Sequence, residues 1–315
     1  MKYIILLLLV PFFLYSRNYS TCNECVEFIN YMHKRYGFNK EYLHNLFANV
    51  KHQQTTLERY NGTLKNATDY SWRRYKSKIL IPQSIELGRE FMQKYATSLK
   101  RAKELYGIDK EIITSFIRVE SKFGLYGNEY RVLDSLVTLS FNPNRKKRFF
   151  KNELEKFLIL TKRAHINPLK VKGSFAGAMG CVQQMPSIYL RYGVDLNQDG
   201  KKDPNSMSDC IGSIAKFLKY NGWKNYRETI IKPTIKGSSY KNLRSRVLSK
   251  YSYNTLKKFG IYPPYRGSFY YIKLYNGNGY DIFLGDNNYK VITRYNHSKQ
   301  YATSIGLYYK ALKAK

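Results

Sequence analysis

A mainly α fold with a small β element, in the α+β class, is expected for this 315-residue chain from three features. Beyond residue 20 the apolar residues recur mostly at helical spacing, with clusters of Gly, Pro, Asn and Asp between the runs. Towards the C-terminus the texture changes to two alternating runs, Phe269–Tyr275 and Tyr280–Leu284, separated by Asn276-Gly-Asn-Gly279. A hydrophobic content of 43% with 24% charged residues allows a sizeable core and fits neither a disordered tail nor a membrane bundle.

The chain opens with the basic pair Met1-Lys2 and an apolar run, Tyr3 to Tyr15, too short to span a bilayer comfortably. That is the pattern of an export signal, so residues 1–20 are read as a signal or, if uncleaved, an N-terminal anchor. Helices are expected near Cys25–Tyr36, Lys40–Asn49, Ser84–Leu105, Lys110–Ser121, Val132–Leu139, Lys147–Ala164, Ser187–Tyr192, Ser208–Tyr220 and Gln300–Leu312. The two alternating runs with their Asn-Gly connection read as a β-hairpin. Residues 21–315 show no clear internal repeats and are taken as one domain, with a basic insert at about 225–265.

Lys and Arg number 54 against 22 Asp and Glu, a formal net charge of +32. An ordinary near-neutral metabolic enzyme is excluded, and a polyanionic partner is indicated: nucleic acid, acidic lipid or an acidic wall polymer. The 31 Tyr and the preference for Lys over Arg fit an AT-rich genome as well. Export and the lack of any recognition motif argue against nucleic acid. Export also favours structural disulfides among Cys22, Cys25, Cys181 and Cys210 over a zinc site, with three pairings open.

Three segments carry candidate chemistry. In Asp109–Gly124, Asp109 is a natural helix N-cap and Gly124 a natural stop, and Ile113, Phe116, Ile117 and Glu120 fall on one stripe. Glu120 therefore sits on an apolar face at the negative end of a helix, where burial and the dipole both raise a carboxyl pKa, as a general acid requires. Gly173-Ser-Phe-Ala-Gly-Ala-Met-Gly180, followed by Gln183 and Pro186, brings backbone close to something, and lacks the ending of a phosphate loop. Asp195-Leu-Asn-Gln-Asp-Gly200 matches the first half of an EF-hand loop, but position 12 is Ser206, so Asp209 or Asp203 would have to close the site.

Taken together, Val119–Gly124, Leu139-Ser-Phe-Asn142, Gly173–Gly180, Gln183-Gln-Met-Pro-Ser187, the Asp195–Asp209 loop and Val291–Ser298 resemble the membrane-bound lytic murein transglycosylase B family, in matching order from about Cys25 to Leu312 and loosest over Asn225–Ser249. The resemblance implies a lysozyme-like fold and peptidoglycan cleavage with Glu120 as the single acid/base. Glu120 would protonate the oxygen leaving N-acetylmuramic acid and then take the proton of that sugar's 6-hydroxyl, giving a 1,6-anhydro end. Two-carboxylate glycosidases need a second Asp or Glu. Asp134 is the nearest candidate here, but it stands at a helix start and reads as a cap.

By the same resemblance Ser174, Gln183, Tyr75 and Tyr295 are substrate-cleft residues. Arg145-Lys146 stands where the family carries paired arginines, so the second position loses the bidentate fork. Phe217 stands where the family has a cleft tyrosine, which puts that hydroxyl contact in question. Asp195, Asn197, Asp199, the Lys201 carbonyl and Asp209 would hold a structural calcium, with no cofactor needed for catalysis. The expected protein is a monomeric, exported, periplasmic or envelope enzyme acting on glycan strands. Its alternatives are a lysozyme-type hydrolase or a non-catalytic wall-binding protein.

Overall fold

The computed structural model describes residues 18–62 and 72–314, so the apolar run read as an export signal lies outside the described residues. The first half is helical: α1 (Asn23–Tyr36), α2 (Lys40–Ala48), α3 (Gln54–Asn61), α4 (Trp72–Ile79), α5 (Pro82–Lys94), α6 (Ala96–Tyr106) and α7 (Lys110–Ser121). After a two-residue strand β1 (Tyr130–Arg131) come α8 (Val132–Phe141) and α9 (Lys147–Arg163), then β2 (Lys172–Gly173), α10 (Pro186–Tyr192) and α11 (Met207–Tyr220). Among the described residues no helix is long and apolar enough to cross a membrane.

The remainder holds β3 (Ile230–Ile231), β4 (Thr234–Ile235), β5 (Lys250–Ser252), α12 (Tyr253–Lys258), β6 (Ile261–Tyr262), β7 (Ser268–Tyr275), β8 (Tyr280–Gly285), α13 (Asn287–Tyr295) and α14 (Lys299–Lys313). The expected hairpin is β7–β8, with Tyr275 opposite Tyr280 and Ile272 opposite Phe283. Its turn closes through the Asn276 N–H, which donates to the Gly279 carbonyl at 3.0 Å, with Gly277 at φ +105°, where a side chain would be strained. The hairpin is the centre of a four-stranded antiparallel sheet in the order β3-β8-β7-β5.

Successive side chains on a strand point to opposite faces, and both faces of this sheet are covered. Tyr270, Ile272, Leu274 and Phe283 join the main helical core. Phe269, Tyr271, Ile282 and Leu284 turn the other way and build a second core with Ile231, Leu243, Leu256 and Ile261. The basic segment read as an insert thus supplies strands β3 to β6 and helix α12, and covers the outer face of the sheet.

Where one helix was expected over Ser84–Leu105, the structure has two. Tyr95 leaves helical geometry at φ −108°, ψ 26°, and its ring lies 4.7 Å from that of Phe91. Hydrogen bonds still run from Tyr95 to Phe91 and from Leu99 to Tyr95, so the apolar stripe continues across the kink.

One polar tie fastens α4 to the hairpin. Asp281 accepts the Trp72 indole N–H at 2.7 Å and the Asn276 amide at 2.8 Å, and it pairs with Lys76 at 3.3 Å. These donors hold the Asp281 carboxyl below its ordinary pKa, against the opposing effect of burial. Asp281→Ala strands the Trp72 donor in a buried position and is expected to lower stability by about 1–3 kcal/mol in denaturant unfolding.

Candidate active site

Helix α7 is placed by its apolar stripe: Ile112, Ile113, Phe116 and Ile117 are fully buried. Asp109 is its N-cap residue but makes no side-chain cap bond; its carboxylate meets the Lys103 ammonium instead. The helix ends at Ser121, as expected, and the chain turns before it reaches Gly124. Lys122 takes the left-handed conformation at φ 46°, Phe123 follows at φ 64° and Gly124 at φ 87°. Three successive residues of this kind reverse the chain directly behind Glu120, a strained arrangement sustained by the Lys122 and Phe123 amides bonding back to Arg118 and Ile117. The Ser121 hydroxyl adds two ties, accepting the Gly124 N–H at 2.9 Å and donating to the Cys181 carbonyl at 2.8 Å.

Glu120 is half-buried in the last turn of α7. Burial pushes its carboxyl up from 4.5 to about 8, and the opposing influence is a hydrogen bond from the Tyr301 hydroxyl to Oε1. No carboxylate is among the groups that shift it. Tyr301, on α14, is fully enclosed and its own pKa is raised well above the ordinary value, first by burial and then by the Glu120 charge, so it remains a donor. Sequence reading had missed this residue, because in α14 it looks like one more apolar position in a tyrosine-rich chain.

Tyr295, at the end of α13, lies beside it. Its ring stacks on Tyr301 at 6.4 Å and meets Phe116 at 5.0 Å and Phe217 at 4.9 Å edge-on. Its hydroxyl donates to the Val182 carbonyl. Phe217 is buried in α11 with its edge also on Tyr192, so it backs the Tyr295 ring. Tyr75, half-buried on α4, is near enough to Tyr301 to act on its ionisation. Tyr301 on the carboxyl and Tyr295 beside it thus belong to an aromatic cluster with Phe116 and Phe217, and Tyr75 lies close to Tyr301; this apolar surrounding accompanies the burial that raises the Glu120 pKa.

The glycine-rich segment forms a tight turn next to them. The Ser174 hydroxyl accepts the Ala178 N–H at 3.1 Å, and the Ser174 N–H donates to the Ala178 carbonyl at 2.8 Å. A Cβ on Gly173 would stand 2.0 Å from the Ala178 carbonyl and one on Gly180 1.8 Å from the Pro204 carbonyl, so both close approaches require glycine. Residues Gly180–Val182 make one turn of 3-10 helix that ends on Gln183 in the left-handed region. The Gln183 amide donates to Gly127 at 2.9 Å and to Gly180 at 2.8 Å, joining the turn to the chain reversal behind Glu120.

Arg145 and Lys146 are exposed at the start of α9, with Arg145 over Tyr60 at 5.8 Å and Lys146 over Phe149 at 5.7 Å; neither ring belongs to the box around Glu120. Asp134 is buried in the first turn of α8, whose cap position is Arg131. It accepts from Arg131 at 2.6 and 2.9 Å and from the Lys51 N–H at 3.1 Å, so it ties α8 to the chain after α2 and is no N-cap.

In the acidic loop, Asp195 accepts the Asp199 and Gly200 N–H groups at 3.1 and 2.9 Å, and Asp199 accepts the Lys201 N–H at 2.9 Å and the Asn197 amide at 2.9 Å. Asp209 is fully buried, accepting from Leu196 at 2.8 Å and Asp203 at 2.9 Å. Burial, and then the charges of Asp195 and Asp199, push it up to about 6 despite those two donors. By donor chemistry the loop fits a hard cation, since the mutual repulsion of its carboxylates is what a divalent ion relieves. Their present bonding is to the loop's own backbone, and among the described residues no three Asp, Glu, His or Cys side chains converge as a metal site.

A neutral carboxyl enclosed by aromatic rings, on a helical scaffold with glycine-built turns beside it, defines a lysozyme-like glycan-cleaving enzyme. The comparisons agree. The family model described as "Transglycosylase SLT domain" matches residues 21–308. The chain is 33% identical over 290 residues to membrane-bound lytic murein transglycosylase B of Escherichia coli, covering 89% of this chain and 80% of that one. The structure superposes on the E. coli lytic transglycosylase Slt35 in complex with calcium with a TM-score of 0.83 at 32% identity, covering 95% of this chain and 93% of that one. It superposes equally on soluble lytic transglycosylase SltB1 of Pseudomonas aeruginosa, with a TM-score of 0.83, 32% identity, and 91% and 97% covered. The chain belongs to the membrane-bound lytic murein transglycosylase B family.

Because the folded-state pKa of Glu120 lies above its ordinary value, the neutral side chain contributes stability in full below about pH 4.5, and this is lost as the pH rises through about 8. Relative to Glu120→Gln, which does not titrate, the wild type is expected to fall progressively in melting temperature between pH 5 and pH 9. Parallel melting curves of the two proteins across that range check it.

Proposed function

We propose that Glu120 is the single acid/base of a lytic transglycosylase reaction on peptidoglycan glycan strands. The observation that carries this reading is a carboxyl still protonated at neutral pH, with Tyr301 and not a second carboxylate as its partner. Neutral Glu120 gives its proton to the glycosidic oxygen leaving the anomeric carbon of N-acetylmuramic acid. The resulting carboxylate, held by Tyr301, takes the proton of that sugar's 6-hydroxyl as the hydroxyl attacks the same carbon. The bond to the leaving sugar breaks, a 1,6-anhydro bond forms, and Glu120 ends protonated again with no cofactor and no water consumed.

Ser174, Gln183, Tyr75 and Tyr295 are the proposed cleft contacts, supported by the turn and aromatic box they form around Glu120. Phe217 acts through Tyr295, and beyond the box Arg145, with its bidentate fork, and Lys146, as a point charge, meet the anionic peptide or lactyl groups. We place the enzyme in the cell envelope as an exported monomer; two disulfides, Cys22–Cys25 and Cys181–Cys210, support an oxidising compartment. Glu120→Gln is expected to lower the release of anhydro-ended fragments from purified peptidoglycan by about 100-fold or more while leaving the circular dichroism spectrum unchanged. Reducing-end muramic acid among the wild-type products, read by mass spectrometry, would instead identify a hydrolase.

The Asp195–Asp209 loop is proposed to bind calcium through Asp195, Asn197, Asp199, the Lys201 carbonyl and Asp209, stiffening the region before α11. Its donor chemistry and the calcium complex of the E. coli relative support this. Calcium is expected to raise the melting temperature, excess chelator to reverse the rise, and Asp199→Ala to remove it. Identical melting with calcium and with chelator would refute the site.

A further inference from the structure

Cys181 and Cys210 are joined with their Cα atoms 6.2 Å apart, yet they belong to elements 29 residues apart in the chain. Cys181 is the middle residue of the 3-10 turn, and Cys210 lies in the first half of α11. The residues that follow Cys181 both serve the site: Val182 accepts the Tyr295 hydroxyl through its carbonyl, and Gln183 bonds across to Gly127.

That turn is short and its conformation unusual. It is three residues long, opening on Gly180 at φ 59° and followed by Gln183 at φ 48°. The Met179 N–H closes it on Gln184 at 2.8 Å, and its hydrogen bonds to other elements are Cys181 N–H to Pro204 at 3.2 Å, the Ser121 hydroxyl to Cys181 at 2.8 Å, the Tyr295 hydroxyl to Val182 and, from the adjoining Gln183, the amide to Gly127 at 2.9 Å. Left-handed conformations at non-glycine residues persist only where the surroundings over-determine them. The covalent tie to α11, which also carries Phe217 behind the Tyr295 ring, completes that determination.

We propose that the Cys181–Cys210 disulfide is a positioning element of the active site: by fixing the 3-10 turn to α11 it holds Gln183, and through Val182 the Tyr295 hydroxyl, in register with Glu120, so that full activity requires the oxidised chain. Both cysteines are buried, at 3% and 0% exposure, so the bond is closed during oxidative folding and is not toggled in the finished enzyme. Closure joins two thiols with loss of two electrons and two protons to a disulfide-exchange oxidant of the export compartment. A chain that folds in a reducing compartment lacks the tie and is a poor glycan-cleaving enzyme there. Cys22–Cys25 sits at the N-terminus of α1, at the far end of the sequence from this turn, and provides the control.

The inference rests on Glu120 being the acid of the transglycosylase reaction. Turnover of soluble glycan strands by Cys22→Ala/Cys25→Ala, with Glu120→Gln as the blank, tests that reading by itself. The inference is tested by comparing Cys181→Ala/Cys210→Ala with that control below the melting temperature of both. The expected result is a fall in kcat of about tenfold or more with KM little changed, in a protein that still melts cooperatively. A second measurement uses the Cys22→Ala/Cys25→Ala protein refolded with its remaining thiols reduced and assayed before and after oxidation; oxidation is expected to restore kcat. Unchanged kcat with only a lower melting temperature overturns the inference. So does a chain that cannot fold without the bond, which would make the disulfide a stability device and nothing more.

Discussion

The chemistry at this site depends on keeping one carboxyl group out of water. A carboxylic acid in solution is ionised at neutral pH, and the proposed proton donation needs a neutral one; burial raises the Glu120 pKa where helix α7 brings it to Tyr301 and the aromatic cluster of Tyr295, Phe116 and Phe217, with Tyr75 close to Tyr301. The enclosure is assembled from α4, α7, α11, α13 and α14, so the distant ends of the chain must pack before the acid exists. Tyr301 moderates the effect. Its hydrogen bond favours the ionised form, while burial, the larger influence, favours the protonated one.

The glycine-rich segment and the sheet serve that enclosure from either side. Gly173 and Gly180 let two backbones approach so closely that the turn bearing Val182 and Gln183 lies against the end of α7. On the other side, the hairpin is buried on both faces, joining the helical body through Ile272 and Leu274 and the outer cover through Tyr271 and Leu284. Asp281 fastens α4, and with it Tyr75, to that hairpin.

Helix α7 and the β7–β8 hairpin were legible because each carries its full signal locally: a cap and a 3.6-residue stripe in one, alternation around an Asn-Gly connection in the other. Helices α3, α4, α12 and α13 were not. They are 8, 8, 6 and 9 residues long, and helices so short owe their stability mainly to tertiary packing, although α2 and α10, at 9 and 7 residues, were legible. The end of α7 at Ser121 was legible, but the left-handed turn behind it begins at Lys122, ahead of the glycine at 124, a conformation that nothing in lysine or phenylalanine announces. At the site, Glu120 stood out as an acid on an apolar stripe, but Tyr301 did not, since its role comes from a contact across 181 positions of sequence. The cysteine pairing was open for the same reason, and the structure resolves it as Cys22–Cys25 and Cys181–Cys210.

The most direct test of the account is the protonation state of Glu120 itself. Carbon-13 NMR of the glutamate side-chain carboxyls, with the Glu120 signal assigned by its absence from Glu120→Gln, follows that group through a pH titration. The expected Glu120 carboxyl is still protonated at pH 7 and releases its proton near pH 8. A Glu120 signal already ionised at pH 7, titrating in the ordinary carboxylate range near 4.5, would contradict it.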